Sequence, residues 1–247
     1  MNTASLPQGG PAAGASAPSL FLDTLFSPQR AMPVIAQRRR TLWVPLLAYL
    51  VLFTLLWAWY YQHVDFGWML EQMVQDTLRR NPGAKADGVR MGLGQMTPGI
   101  MTASVVVGGL LMMLAIEFIR ALYHHLSARL IEQGDVPLLT WMAVQLWSML
   151  PSVLSLGVSL IYFSVTDVSH LMPQAVSLTS LNALLHLPPD HPYATWAGAL
   201  DLMLLWTIAI TAVACRQLKG VGPVAATLWA AGPFLFIYGA WALAIAS

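Results

Sequence analysis

The chain has 247 residues, of which 57% are hydrophobic and 9% charged, with a mean hydropathy of +0.63 and a formal net charge of +1. A soluble domain carries about 25% charged residues, so this chain lacks the charge to cover a water-facing surface and reads as an integral membrane protein. The near-zero net charge gives no ground for nucleic acid as a partner, and a lone cysteine, Cys215, excludes an internal disulfide and a multi-cysteine metal site.

In chain order, residues 1–26 come first, with the stretch PQGGPAAGASAP. Their Pro, Gly, Ala and Ser content predicts a disordered tail. They lack the basic start and short apolar core of a secretory signal. The next stretch, SPQRAMPVIAQRRR, opens on an N-cap serine with a proline at the first helical position. It predicts an amphipathic helix with Met32, Ile35 and Ala36 toward lipid. Arg38, Arg39 and Arg40 then meet anionic headgroups, at about 1 kcal/mol each.

About 20 apolar residues cross a bilayer as a helix, and five runs qualify: 41–61, 99–124, 137–165, 193–216 and 221–246. Pro151 should kink the third run and Pro233 should bend the fifth. Between the first two runs, DFGWMLEQMVQDTLRR puts Phe66, Met69, Leu70, Met73 and Val74 on one helical face and Glu71, Gln75, Asp76 and Arg79 on the other. That predicts a second helix lying on the membrane. The fold class is therefore all-α: a bundle of five transmembrane helices with flanking interfacial amphipathic helices.

Lys and Arg set the orientation. With the N-terminus in the cytoplasm, the inner side receives eight of them (Arg30, Arg38, Arg39, Arg40, Arg120, Arg129, Arg216 and Lys219) and the outer side four (Arg79, Arg80, Lys85 and Arg90). This predicts a cytoplasmic N-terminus and an outward C-terminus. Trp57, Trp59, Tyr60, Tyr61, Tyr193 and Trp196 fall where an outer aromatic belt would lie.

The second run ends in AIEFIRALYHHLSARL. Glu117, Arg120 and His124 are three and four residues apart and share a face, whereas His125 points about 100° away. Arg120, in the middle of that stripe, would repel a divalent cation, so no metal is expected. At 1.5 Å per residue Glu117 lies about 27 Å from Gly99, near the edge of the hydrocarbon core. The stretch thus reads as the border where a helix leaves the membrane, with a local Glu117–Arg120 pair; docking of another protein is the alternative for this face.

Asp201 lies deeper, about 12 Å into the fourth run. A carboxylate at that depth faces the bundle and needs partners. Thr207 and Thr211 are within reach on its own span, and Gln145, Ser148, Ser152 and Ser155 on the third. It reads as a hydrogen-bonded acid between helices, a proton or cation path, or a partner contact. Gly108, Gly109 and Gly157 permit close helix approach. No phosphate loop, Gly-x-Ser-x-Gly or His-Glu-x-x-His motif occurs. An enzyme is accordingly not expected, and no cofactor is implied.

The stretches LFSPQRAMPVIAQRRRTLWVPLL, RLIEQGDVPLLTWMAVQLWSMLP and LPPDHPYATWAGALDLMLLWTIAI resemble the Yip (Ypt-interacting protein) family, most closely its bacterial branch. The shared features are a Ser-Pro helix before the first span, a glycine turn before the third with a proline further on, and an Asp-x-x-x-aromatic entry to the fourth, here Asp190, Tyr193 and Trp196. The resemblance covers about residues 25–245 and implies a five-helix membrane domain over 27–247. Eukaryotic members act in vesicle traffic with Rab-type GTPases; their long acidic cytoplasmic region and Asp-Leu-Tyr-Gly-Pro-like motif are missing here. The resulting expectation is a non-enzymatic scaffold or adaptor of a bacterial inner membrane. Its partners would be membrane lipids and other membrane proteins or further copies of itself. The alternative is a small-solute or ion transporter that uses Asp201 as a protonatable site.

Overall fold

The computed structural model describes residues 16–131, 134–188 and 190–247, and among these the protein is built from helices. Two short helices lead: α1 (Ala17–Phe26) and α2 (Pro28–Gln37). A 3₁₀ turn (Arg39–Leu42) runs into α3 (Trp43–His63), followed by α4 (Phe66–Arg80), α5 (Ala86–Gly94) and α6 (Pro98–Ala128). Then come α7 (Leu138–Ser148), α8 (Leu150–Ser164), the short α9 (Leu181–Leu185) and α10 (Ala194–Ala199), and finally α11 (Met203–Lys219) and α12 (Pro223–Ala246).

Among the described residues, four segments are long and apolar enough to cross a membrane: Arg39–His63, Pro98–Ala128, Leu138–Ser164 and Pro223–Ala246. The kink expected at Pro151 is present, since α7 stops at Ser148 and α8 begins at Leu150 with the proline in its first turn. The run 193–216 departs from expectation. It is broken at 200–202 into α10 and a 17-residue α11, whose rise is about 26 Å. A broken helix leaves backbone groups without partners, which is intolerable in an apolar setting unless another segment supplies them. Here residues 179–181 do so: Leu181 N–H donates to the Leu200 carbonyl (2.7 Å) and Leu202 N–H to that of Thr179 (2.8 Å).

Helix starts follow local chemistry. Thr97 caps α6 by accepting from Ile100 N–H (3.2 Å), with Pro98 at the first position, and Asp65 caps α4 by accepting from Trp68 N–H (2.9 Å). Gly220, at φ 61°, ends α11 in the left-handed conformation that glycine adopts without strain.

The segment α7–α8 is the centre of the bundle, with 56% of its most apolar window buried, against 6% for α6 and 17% for α12. Around it pack α3, α6 and α11, with α12 on α11. Exposed apolar residues such as Val107, Leu111 and Ile119 on α6, or Leu228, Leu235 and Phe236 on α12, are the surface that hydrocarbon solvates.

Three expectations change at this level. The disordered tail ends too late in the sequence reading, because residues 17–26 are helical and bury Leu20, Thr24 and Leu25; residues 1–15 lie outside the described residues. The face of α2 expected on lipid packs instead on α7 and α11, with Met32 and Ile35 at 0% exposure. Likewise α4 turns Met69 into a second apolar core with Leu56, Tyr60, Tyr61 and Phe163, and packs Phe66, Leu70 and Met73 against it. Periodicity reveals an apolar face, but lipid and protein both satisfy it. Tyr60 and Tyr61 therefore serve as core residues, the Tyr60 hydroxyl donating to the Leu171 carbonyl (2.6 Å).

Pro33 lies inside α2 and can give no N–H to the carbonyl four residues back, that of Gln29. The Gln217 side chain of α11 donates to that same carbonyl at 2.7 Å. The missing bond within one helix becomes a tie to another.

Candidate functional site

The largest polar assembly in the interior grows from α6. Glu117, Arg120 and His124 share a face, as their spacing requires, and are 6%, 2% and 0% exposed. Arg120 Nη1 donates to Glu117 Oε2 at 2.6 Å, and Nη2 reaches Thr211 Oγ1 on α11 at 3.4 Å. Its guanidinium also lies 4.5 Å from the centroid of Phe234 on α12, a cation–π contact that strengthens away from water. His124 stacks on Trp141 of α7 (5.2 Å between ring centroids) and lies beside Trp229 of α12 (5.5 Å).

The His124 ring has Nδ1 2.8 Å from the Arg120 carbonyl and 3.1 Å from Gln145 Nε2. One nitrogen cannot donate to the first and accept from the second. A proton on Nδ1 serves the carbonyl, and the Gln145 oxygen rather than its nitrogen then belongs beside the ring. The Gln145 oxygen and the Arg120 carbonyl then share that one N–H.

Four helices thus meet on one buried cluster, with the Glu117–Arg120 pair expected from the spacing inside it. Helices α7, α11 and α12 cover this face of α6. His125 stays outside the cluster, with Nδ1 2.9 Å from the Val136 carbonyl. The glycine at 232 makes the approach of α12 possible: a Cβ there would lie 2.5 Å from the Tyr123 hydroxyl. Close by, Trp229 Nε1 donates to Ser127 Oγ at 2.7 Å.

Asp201 lies elsewhere. It sits at the break before α11, not inside a continuous span, and its Oδ1 accepts from Met203 N–H at 2.8 Å. Beside it, the Thr179 carbonyl accepts from Leu202 N–H. The Thr179 hydroxyl is paired with that of Ser155, 2.6 Å between the oxygens. Among the described residues, none of the partners named from sequence hydrogen-bonds to Asp201. Gln145 belongs to His124, and Thr207 is buried with its carbonyl accepting from Thr211 Oγ1 at 2.9 Å. Arg38, Arg39 and Arg40 are exposed.

Three participants escaped the sequence reading. Trp141 was masked by the habit of placing tryptophans in belts, although it sits four residues from Gln145 and so on the same face. Thr179 comes from a loop with no periodic signal. Lys219, counted among the inner-surface charges, is 1% exposed and donates to the carbonyls of Ile131 (3.0 Å) and Gly134 (2.7 Å). It fastens the α6–α7 connection to the end of α11.

The model of the Yip1 domain matches residues 22–244 of this chain. No curated protein and no solved structure matches it.

Proposed function

Because the chain belongs to the Yip1 domain family, we propose that it works as an integral membrane scaffold or adaptor, without catalysis, in membrane organisation or protein traffic. One observation carries this reading. The long polar side chains of the interior hold helices together, while α6 and α12 turn most of their length outward. Cross-linking the centre leaves long apolar helices, α6 and α12 among them, as contact surfaces, which suits an adaptor. In this reading α11 is the fifth crossing and the N-terminus faces the cytoplasm of a bacterial inner membrane, with lipids and other membrane proteins or further copies as partners.

The test uses Cys215, which is fully buried, as a silent background. Single cysteines at Leu111→Cys on α6 and Leu235→Cys on α12 are cross-linked in native membranes with a bismaleimide. A defined homo-oligomer, or one membrane protein at fixed stoichiometry, is the expected outcome. Monomer alone at both positions overturns the proposal.

A second reading, a small-solute or ion transporter with Asp201 as its protonatable site, draws on the helix break at 200–202. Unwound backbone beside a carboxylate is where membrane transporters bind ions. Uptake by proteoliposomes driven by a proton gradient, abolished in Asp201→Asn, is its signature. Equal behaviour of the two proteins removes it.

A further inference from the structure

Arg216 and Lys219 occupy the last turn of α11, yet their fates differ. Lys219 is buried against loop carbonyls. Arg216 is exposed, and its side chain makes no ion pair or hydrogen bond among the described residues. It lines a crevice of about 490 Å³ between α2 and the α11–α12 turn, together with Gln29, Val213, Gln217, Gly220 and Val221. The Gln217–Gln29 hydrogen bond holds the two walls together.

The position of this crevice is set by topology. Arg39–His63 and Pro223–Ala246 both begin at this end of the bundle, so the crevice lies at the depth of lipid headgroups. Its composition is that of an amphiphile's partner. A guanidinium offers paired N–H groups to a phosphate, and Val213 and Val221 form an apolar wall. Three and seven residues beyond Val221, the exposed Val224 and Leu228 (72% and 61%) continue that wall along α12 toward the bilayer. The exposed Arg30, Arg38, Arg39 and Arg40 on the neighbouring chain segment make the surroundings electropositive.

We propose that this crevice is a binding site for one anionic phospholipid, its phosphate on Arg216 and an acyl chain along Val221, Val224 and Leu228. The site requires only that the protein is inserted in a membrane, and is independent of the scaffold reading. It converts a diffuse attraction for anionic lipid into a specific contact that anchors α2 against the end of α11.

The experiment reconstitutes the full chain in nanodiscs of equal phosphatidylcholine and phosphatidylglycerol, followed by detergent release and native mass spectrometry. Wild type is expected to retain one phosphatidylglycerol in preference to phosphatidylcholine. Arg216→Gln should lower retention about fivefold, the equivalent of the ~1 kcal/mol attributed to one basic residue at an anionic surface. Arg129→Gln, which removes an exposed charge at the end of α6, should leave retention unchanged, and Arg216→Lys should fall between. Thermal unfolding of each variant confirms that it is folded. Undiminished retention in Arg216→Gln, or an equal loss in Arg129→Gln, overturns the proposal. So does displacement of the lipid by millimolar inorganic phosphate, which would show an ion site without use of the acyl wall.

Discussion

Two of the polar groups set among the helices do opposite jobs. The Glu117–Arg120–His124–Gln145 cluster hangs on helices whose backbones need nothing from it, so its side chains answer to one another. Asp201 answers to the backbone: it receives Met203 N–H at the start of α11. The first group ties four helices together and the second ends a gap in one. A polar residue inside a membrane protein is therefore not one kind of feature, and the two kinds respond differently to substitution.

The largest effect is expected in the first group. Arg120→Met leaves the Glu117 carboxylate buried without its partner, a loss of about 3–5 kcal/mol, read from chemical unfolding in nanodiscs. Adding Glu117→Leu should restore most of it, because a packed apolar pair replaces a buried ionic one at little net cost. A double variant as unstable as the single one would show that the tie between helices, not the unpaired charge, dominates.

Next comes the packing that sets α6 in place. A Cβ at Gly109 would lie 2.6 Å from the Phe53 ring, whereas one at Gly108 meets nothing within 4 Å. Gly109→Ala should cost about 1–3 kcal/mol through overpacking of α3 against α6, and Gly108→Ala should stay within about 0.5 kcal/mol. Equal effects would mean that α3 and α6 are held together some other way.

The backbone-serving group should be gentler. Asp201→Ala removes a cap and should cost about 1 kcal/mol, with faster exchange confined to the first amides of α11. Asparagine, which can still accept that hydrogen bond, should cost less. A loss comparable to that of Arg120→Met would place Asp201 in the cross-linking class.

The smallest effect separates surface charge from both groups. The Glu71 carboxyl is held below its ordinary value of 4.5 by hydrogen bonds from Arg90 and then Gln75. A carboxyl with a depressed pKa adds stability above its ordinary value and loses it as the pH falls through the folded one. The protection factors of amides across α5, which is tied to α4 by the 3.0 Å Glu71–Arg90 pair, should therefore fall below pH 4.5 in the wild type and be indifferent to pH in Glu71→Gln.

Much of this was legible in the sequence, and what was missed has one cause. The stripe Glu117–Arg120–His124 follows from spacing within a single helix, as do the apolar face of α4, the kink at Pro151 and the close approach at Gly109. Each is a statement about neighbours within a few residues or about the volume of one side chain. What lies opposite such a face is not encoded at that range. Met32 and Ile35 could meet lipid or protein on the same periodicity, and Glu117 could sit at a membrane edge or under three other helices at the same depth. The break at Asp201 was hidden because residues 193–216 are apolar throughout. A run of that kind shows a helix its solvent, but not that residues 179–181 lie close enough to replace its hydrogen bonds.

By itself the sequence determined the solvent of this protein, the helical segments that use it and the Yip1 kinship, since charge scarcity, apolar length and local motifs are properties of a chain before it folds. Only the tertiary structure decided the rest. It selected Gln145 for His124 rather than for Asp201, buried Lys219 while leaving Arg216 in a crevice, and split the fourth run. In each case the outcome depends on which side chain or carbonyl arrives from a distant segment, and a buried polar group is stable only beside the partner that arrives.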